Sequence, residues 1–204
     1  MSMMFLGGVS ALCGALVMMI EILGSRVVGP FYGVGLFVWT SLIAVTLLAL
    51  AMGYVIGGRL ADRLRAERLL PWPIALAGLL LVSLPFWKGA LLTATHPLGL
   101  RLGAFVSTLL LFGPPLLLLG CVTPLIVKIA APDRERLGRV VGGLTALSTL
   151  GSVAGTVVTG FFLVPQLGVE RIFQVSGLLL VALGGGCAWY PARRGAILVA
   201  GGML

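Results

Sequence analysis

Charge is what this chain of 204 residues has least of, at 10% Asp, Glu, Lys and Arg. A soluble domain carries about 25%, so a solvated globular surface is excluded. There is a single histidine, His96, and the six acids lie nearly all in charged loops, so no Ser/His/Asp set, histidine metal site or cofactor is expected. The three cysteines, Cys13, Cys121 and Cys187, are odd in number and lie inside apolar runs. They suit packing rather than a disulfide framework or a zinc site.

What the chain has instead is apolar length. It is 59% hydrophobic, with a mean hydropathy of +1.16. Stretches free of charge recur at the length of about 20 residues that a transmembrane helix needs. They predict an all-α integral membrane protein with six spans at about 3–23, 36–57, 69–87, 102–127, 140–164 and 172–190. Residues 1–194 form this membrane domain. Gly89 to Leu100, with His96 and Pro97, reads as a connection or re-entrant piece, and 195–204 as a short apolar tail or the start of a seventh helix. The N-terminus has no basic region ahead of its apolar run, so the first span reads as retained.

A net charge of +8 points to topology here and not to nucleic acid. Of the fourteen basic residues, ten follow spans 2, 4 and 6: Arg59, Arg63, Arg65 and Arg68, then Lys128, Arg134, Arg136 and Arg139, then Arg193 and Arg194. The positive-inside rule then places both termini in the cytoplasm, in a cytoplasmic (inner) membrane. Trp39, Trp72, Trp87 and Trp189 read as interfacial anchors.

The stretch "MGYVIGGRLADRLRAER" poses the sharpest choice. A phosphate loop needs G-x-x-x-x-G-K-[ST] or G-x-G-x-x-G between a strand and a helix, and neither is present. Gly53 and Gly57 stand four apart as a small-xxx-small pair that lets another helix approach closely. The glycines therefore predict a packed helix end, with Arg59 and Arg63 at headgroup level and Asp62 paired in the charged loop. In span 5, Gly151, Gly155 and Gly160 share a face with Ser148, Ser152 and Thr156, which predicts close helix packing as well.

Polar residues inside spans are few, and each has two readings. Glu21 shares a helical stripe with Gly7, Ala11, Gly14, Met18 and Ser25 near the outer end of span 1. It is a functional-site candidate because burying a carboxylate is costly, or else one half of an interfacial salt bridge with Arg26. Span 4 carries "GPPLLLLGCVTP". Pro114, Pro115 and Pro124 give no N–H, which predicts a kinked or broken helix. Broken helices line sites in transporters; the structural alternative is a kink satisfied by Ser107, Thr108 or Thr123. Gln174, on the side of Gly177 and Gly184, is a further polar candidate.

Six spans divide as three plus three, and because three is odd any repeat is inverted, as within each half of a major facilitator transporter. Read together, "MIEILGSRVVGPFYG", "ALAMGYVIGGRLADR", "LGCVTPLIVKIA" and "LGRVVGGLTALSTLGSVAGTVVTGFFLVPQLGVER" resemble, in this order, the membrane half of the fused spermidine synthase-like membrane proteins. The resemblance runs from about Glu21 to Arg171. It implies a bundle that precedes a soluble aminopropyltransferase-like domain, with Glu21, Ser25 and Arg26, then Gly57, Gly58, Arg59, Ala61 and Asp62, then Gly120, Thr123 and Pro124, then Gly151, Gly155, Gly160, Pro165 and Gly168, matching its motifs. Only ten residues follow Arg194, so the expectation is a chain without that soluble domain and not an enzyme by itself. The first functional expectation is a non-catalytic anchor, scaffold or subunit for a soluble spermidine synthase-like partner or a larger membrane complex. Its cytoplasmic loops, including Arg59, Asp62, Arg63, Arg134, Arg136 and Arg139, would then be the docking surface. The alternative is a small solute or polyamine transporter that works as a self-associated half-transporter dimer.

Overall fold

A computed structural model describes the backbone of residues 1–131 and 137–201, and side chains within those ranges as far as residue 189. Arg134 and Arg136 of the expected docking loop lie outside the described residues.

Every regular element among the described residues is helical. α1 (Met3–Tyr32) opens on Ser2, whose hydroxyl accepts from the Phe5 N–H at 3.3 Å. α2 (Leu36–Arg63) follows, then the single turn α3 (Ala66–Leu69), α4 (Pro71–Thr95) and a 3₁₀ turn, His96–Leu98. Next come α5 (Gly99–Ala130) and α6 (Leu137–Val157), which widens into a π-helical stretch, Val158–Leu163, before the short α7 (Val164–Gln166). The last is α8 (Val169–Gly201). By length and composition, five continuous helical stretches are able to cross a membrane: Met3–Tyr32, Leu36–Arg63, Ala66–Ala130, Leu137–Gln166 and Val169–Trp189. The third, at 65 residues, would reach about 98 Å if straight. Instead it turns at His96–Leu98 and Gly99, whose φ of +79° suits glycine, and α4 packs on α5.

Charge interrupts an apolar run without ending a helix, and the expected boundaries change accordingly. Arg26 and Lys88 are compatible with helix, so α1 continues past residue 23 to Tyr32, and α4 absorbs the part of the expected connection from Gly89 to Thr95, while its His96–Leu98 part is the turn. Left-handed glycines mark the turns instead, at Gly33 (φ 78°) and Gly99. Residues 195–201 of the expected tail continue α8 without a break. Nor is α5 broken: Pro114, Pro115 and Pro124 all lie within one helix. Ser107 and Thr108 do not serve the carbonyls those prolines free, since both hydroxyls donate to the Ala104 carbonyl, at 3.2 and 2.7 Å. What braces α5 is its contact with α2.

The helices associate mainly as three pairs, α1 with α6, α2 with α5, and α4 with α8. Lipid tails are as apolar as leucine, so association in a bilayer depends on close van der Waals approach at small residues. Each pair has such a seam. A methyl group added to Gly57 would lie 2.7 Å from the Cys121 Cα and 2.8 Å from the Pro124 ring, and one on Gly120 would lie 3.1 Å from the Gly53 Cα. On the second seam, Gly151 faces the Ala11 backbone, and a methyl on Gly155 would lie 2.7 Å from the Ala15 Cα. On the third, a methyl on Gly177 would lie 2.6 Å from the Gly78 carbonyl oxygen. Gly160, grouped on sequence with Gly151 and Gly155, meets nothing within 4 Å. It lies in the π-helical stretch, just before Pro165, whose ring opposes the Phe161 carbonyl of a regular α-helix.

Side chains tie the pairs together. The Ser10 hydroxyl donates to the Leu144 carbonyl at 3.2 Å, and the Tyr32 hydroxyl to Thr95 Oγ1 at 2.8 Å. Lys88 and Glu170 pair at 2.8 Å between α4 and α8. Phe112 and Phe173 stack at the centre with centroids 6.0 Å apart.

Two stability outcomes follow. Gly57→Ala and Gly151→Ala should each cost about 1–3 kcal/mol, as overpacking does, whereas Gly58→Ala and Gly160→Ala, with open space around them, should cost nothing; reversible unfolding in mixed micelles measures the difference. Thr159 is fully buried and its hydroxyl has no partner among the described residues. An unpaired buried hydroxyl costs about 1–3 kcal/mol, so Thr159→Val should raise the thermal midpoint.

Candidate functional site

Two of the glycine seams leave a gap between them. α1·α6 and α2·α5 are each drawn together tightly, and between the two pairs lies a recess of about 890 Å³ at the arginine-rich end of α2. A smaller pocket of about 200 Å³ lies next to it and reaches Glu21. Tyr54, Thr123, Ser148 and Ser152 line both, so the two form one path from the helix ends inward.

The path follows a stripe on α2 at steps of four: Thr46, Leu50, Tyr54, Gly58 and Asp62. One such step is close to a helical turn, so these residues share a face. At the mouth, Asp62 accepts from the Lys128 ammonium at 3.0 Å, joining the end of α2 to the end of α5. Sequence reading expects Asp62 to be paired, but with an arginine of its own loop. The partner is instead a lysine 66 positions away, brought near by the Gly57–Cys121 contact.

At the inner end, Glu21 is partly buried. α1 continues to Tyr32, so Glu21 is close to the middle of a helix of 30 residues rather than at its end. Its carboxylate makes no hydrogen bond or ion pair with any described residue. The salt bridge with Arg26 is not formed: Arg26 is exposed and lines neither pocket.

α6 contributes hydroxyls in a particular state. Ser152 Oγ donates to the Ser148 carbonyl at 3.0 Å and Thr149 Oγ1 to the Thr145 carbonyl at 2.9 Å. With its proton committed to the helix, each hydroxyl offers the recess only lone pairs. Thr149 and Ser152 thus face the path as acceptors, the hydroxyls of Thr46, Tyr54, Thr123, Thr145 and Ser148 line it beside them, and a carboxylate stands at its inner end with leucine, valine and methionine side chains between.

Of the residues singled out on sequence, the fold gathers Glu21, Thr123, Pro124 and Asp62 around this path. Pro114 lies instead on an apolar groove beside Leu48, Met52 and Leu76, and Pro115 is buried in the packing of α5. Gln174 on α8 lines neither pocket, and Arg59, Arg63 and Arg139 are exposed beyond the mouth. Thr46 and Tyr54 were missed, Lys128 was read only as a charge of the cytoplasmic docking loop, and Ser148 and Ser152 were read as packing alone. The signal for the first two was available, since both lie at multiples of four before Asp62.

Fold and recess together describe a helical protein with several segments able to cross a membrane and a polar path among them. Comparison with protein-family models, with curated proteins and with solved structures finds no match to this chain.

Thiol accessibility tests the path. In a background with Cys13, Cys121 and Cys187 changed to Ala, Thr123→Cys and Ser152→Cys should react with a charged, membrane-impermeant thiosulfonate, and Thr108→Cys, fully buried, should not. Equal labelling of all three would contradict a water-reached recess.

Proposed function

We propose that this chain is a membrane transport unit whose solute passes along the recess between the α1·α6 and α2·α5 pairs. The observation that carries this reading is the Glu21 carboxylate, without a partner among the described residues, at the inner end of this path. A carboxylate in mid-membrane is costly to keep, and an inert anchor has no use for one.

In this reading α4 and α5 cross separately, giving six spans, with both termini and the arginine-rich loops in the cytoplasm. The pairing of helices supports a three-plus-three inverted repeat. Exchanging α1, α2 and α4 with α5, α6 and α8 turns the α1·α6 pair into α5·α2 and leaves α4·α8 unchanged, so the three principal pairs map onto one another. The recess and the inner pocket together are bounded by two helices from each triplet, α1 and α2 with α5 and α6, where the two halves of such a repeat meet. This is the arrangement of half of a major facilitator transporter, and it favours a self-associated pair of chains as the working unit.

The scaffold reading keeps one observation in its favour. Arg59, Arg63 and Arg139 are exposed at the same end of the bundle and would suit an acidic soluble partner, such as the spermidine synthase-like domain that the quoted motifs suggest.

Reconstitution separates the two. In proteoliposomes the purified chain should drive counterflow of a labelled small solute, and Glu21→Gln should lower the rate about tenfold or more, as losing about 1.4 kcal/mol or more of interaction does, while eluting like the wild type. A chain that moves no solute and purifies in a fixed ratio with a soluble partner would support the scaffold instead.

A further inference from the structure

We infer that the inner pocket is a binding site for a small organic cation, a primary ammonium on a short apolar body, with Glu21 as its counter-charge. The inference deepens the transport reading and rests on it for purpose, while its chemistry stands on the pocket alone.

Three features set the ligand's class. The first is polarity: Glu21 has no cationic partner among the described residues, and the Ser152 hydroxyl has given its proton to the Ser148 carbonyl. An ionised carboxylate and such a hydroxyl only accept, so the group that satisfies them donates, and a positive donor satisfies them best. The second is shape. A bare metal ion needs several oxygens converging at about 2.0–2.6 Å. The pocket has about 200 Å³ of space, and no group of three His, Cys, Asp or Glu side chains gathers among the described residues. The third is the wall: Val17, Met18, Leu47, Leu50 and Leu119 give the pocket an apolar side that suits a hydrocarbon body, beside the hydroxyls of Thr46, Thr123 and Ser148. Tyr54, at the junction with the outer recess, adds a ring face on which an ammonium is held favourably.

The mouth supplies an internal parallel. There the recess's other carboxylate, Asp62, already holds a primary ammonium, that of Lys128, at 3.0 Å. That pairing neutralises Asp62 and leaves Glu21 as the unmatched charge along the path.

The test uses the full-length chain in lipid nanodiscs, with n-butylammonium as probe and n-butanol, butyrate and sodium chloride as controls. Butylammonium should raise the thermal midpoint saturably and the three controls should not. Glu21→Gln should weaken the response about tenfold or more, the loss expected on removing a charged hydrogen-bond partner, and Glu21→Asp should keep part of it. If Glu21→Gln fails to fold, Ser152→Ala and Thr123→Val take its place, each weakening the response severalfold. Equal responses to butanol, a response to sodium alone, or a butylammonium response unchanged in Glu21→Gln, or in both replacement variants, would overturn the inference. Saturable binding without flux in proteoliposomes would leave the cation site standing and remove the transport reading. Flux of neutral solutes without a butylammonium response would do the reverse.

Discussion

Backbone-to-backbone approach at glycine is the constraint on which the rest of the structure depends. In water a helix bundle is drawn together by burying apolar faces, but in lipid that drive is absent and contact must come from fit. Gly53, Gly57 and Gly120 on one seam, Gly151 and Gly155 on the second, and Gly78 and Gly177 on the third allow an approach that a single methyl group would block. Because the tightness is concentrated in pairs, the space between pairs is left unfilled. The recess is therefore a product of the packing, placed where α1·α6 meets α2·α5.

That placement gives the polar residues their meaning. Serine and threonine in a membrane helix can return their protons to the helix's own carbonyls, as Thr149, Ser152 and Thr156 do, and so be tolerated without a partner. A glutamate has no such recourse. Glu21 is neither capped by a hydroxyl nor paired with Arg26, and its freedom separates the recess from an ordinary seam of small residues. The Asp62–Lys128 pair at the mouth is exposed and contributes little to stability. Its consequence lies in position, since it bridges the two helices whose ends frame the opening.

Much of the architecture was legible in the sequence because hydropathy and small-residue spacing are local signals. The all-helical character and the packing roles of Gly53, Gly57, Gly151 and Gly155 could be read from runs and steps of four. Helix ends could not, since an isolated Arg26 or Lys88 ends an apolar run on paper but leaves the backbone hydrogen bonds intact. That error displaced Glu21 toward a membrane surface and made a salt bridge with Arg26 look natural. The prolines of α5 misled for a related reason: a missing N–H predicts a break only if nothing else holds the helix, and the α2 seam holds it at Pro124. The candidate site was half legible. Glu21, Asp62 and Thr123 stood out as rare polar residues, and Thr46 and Tyr54 could have been found from their spacing before Asp62, but Lys128 acquires a role only when α2 and α5 are side by side, which is a long-range fact.

In the proposed transport reading, Glu21 stands at the inner end of a path along which a positively charged solute moves. Current recording on a solid-supported membrane tests it most directly, with the chain in proteoliposomes and n-butylammonium applied in a concentration jump. A transient, saturable inward charge movement is expected in the wild type, and none in Glu21→Gln. A current of equal size in both, or none in a wild-type chain that is folded and correctly inserted, would contradict it.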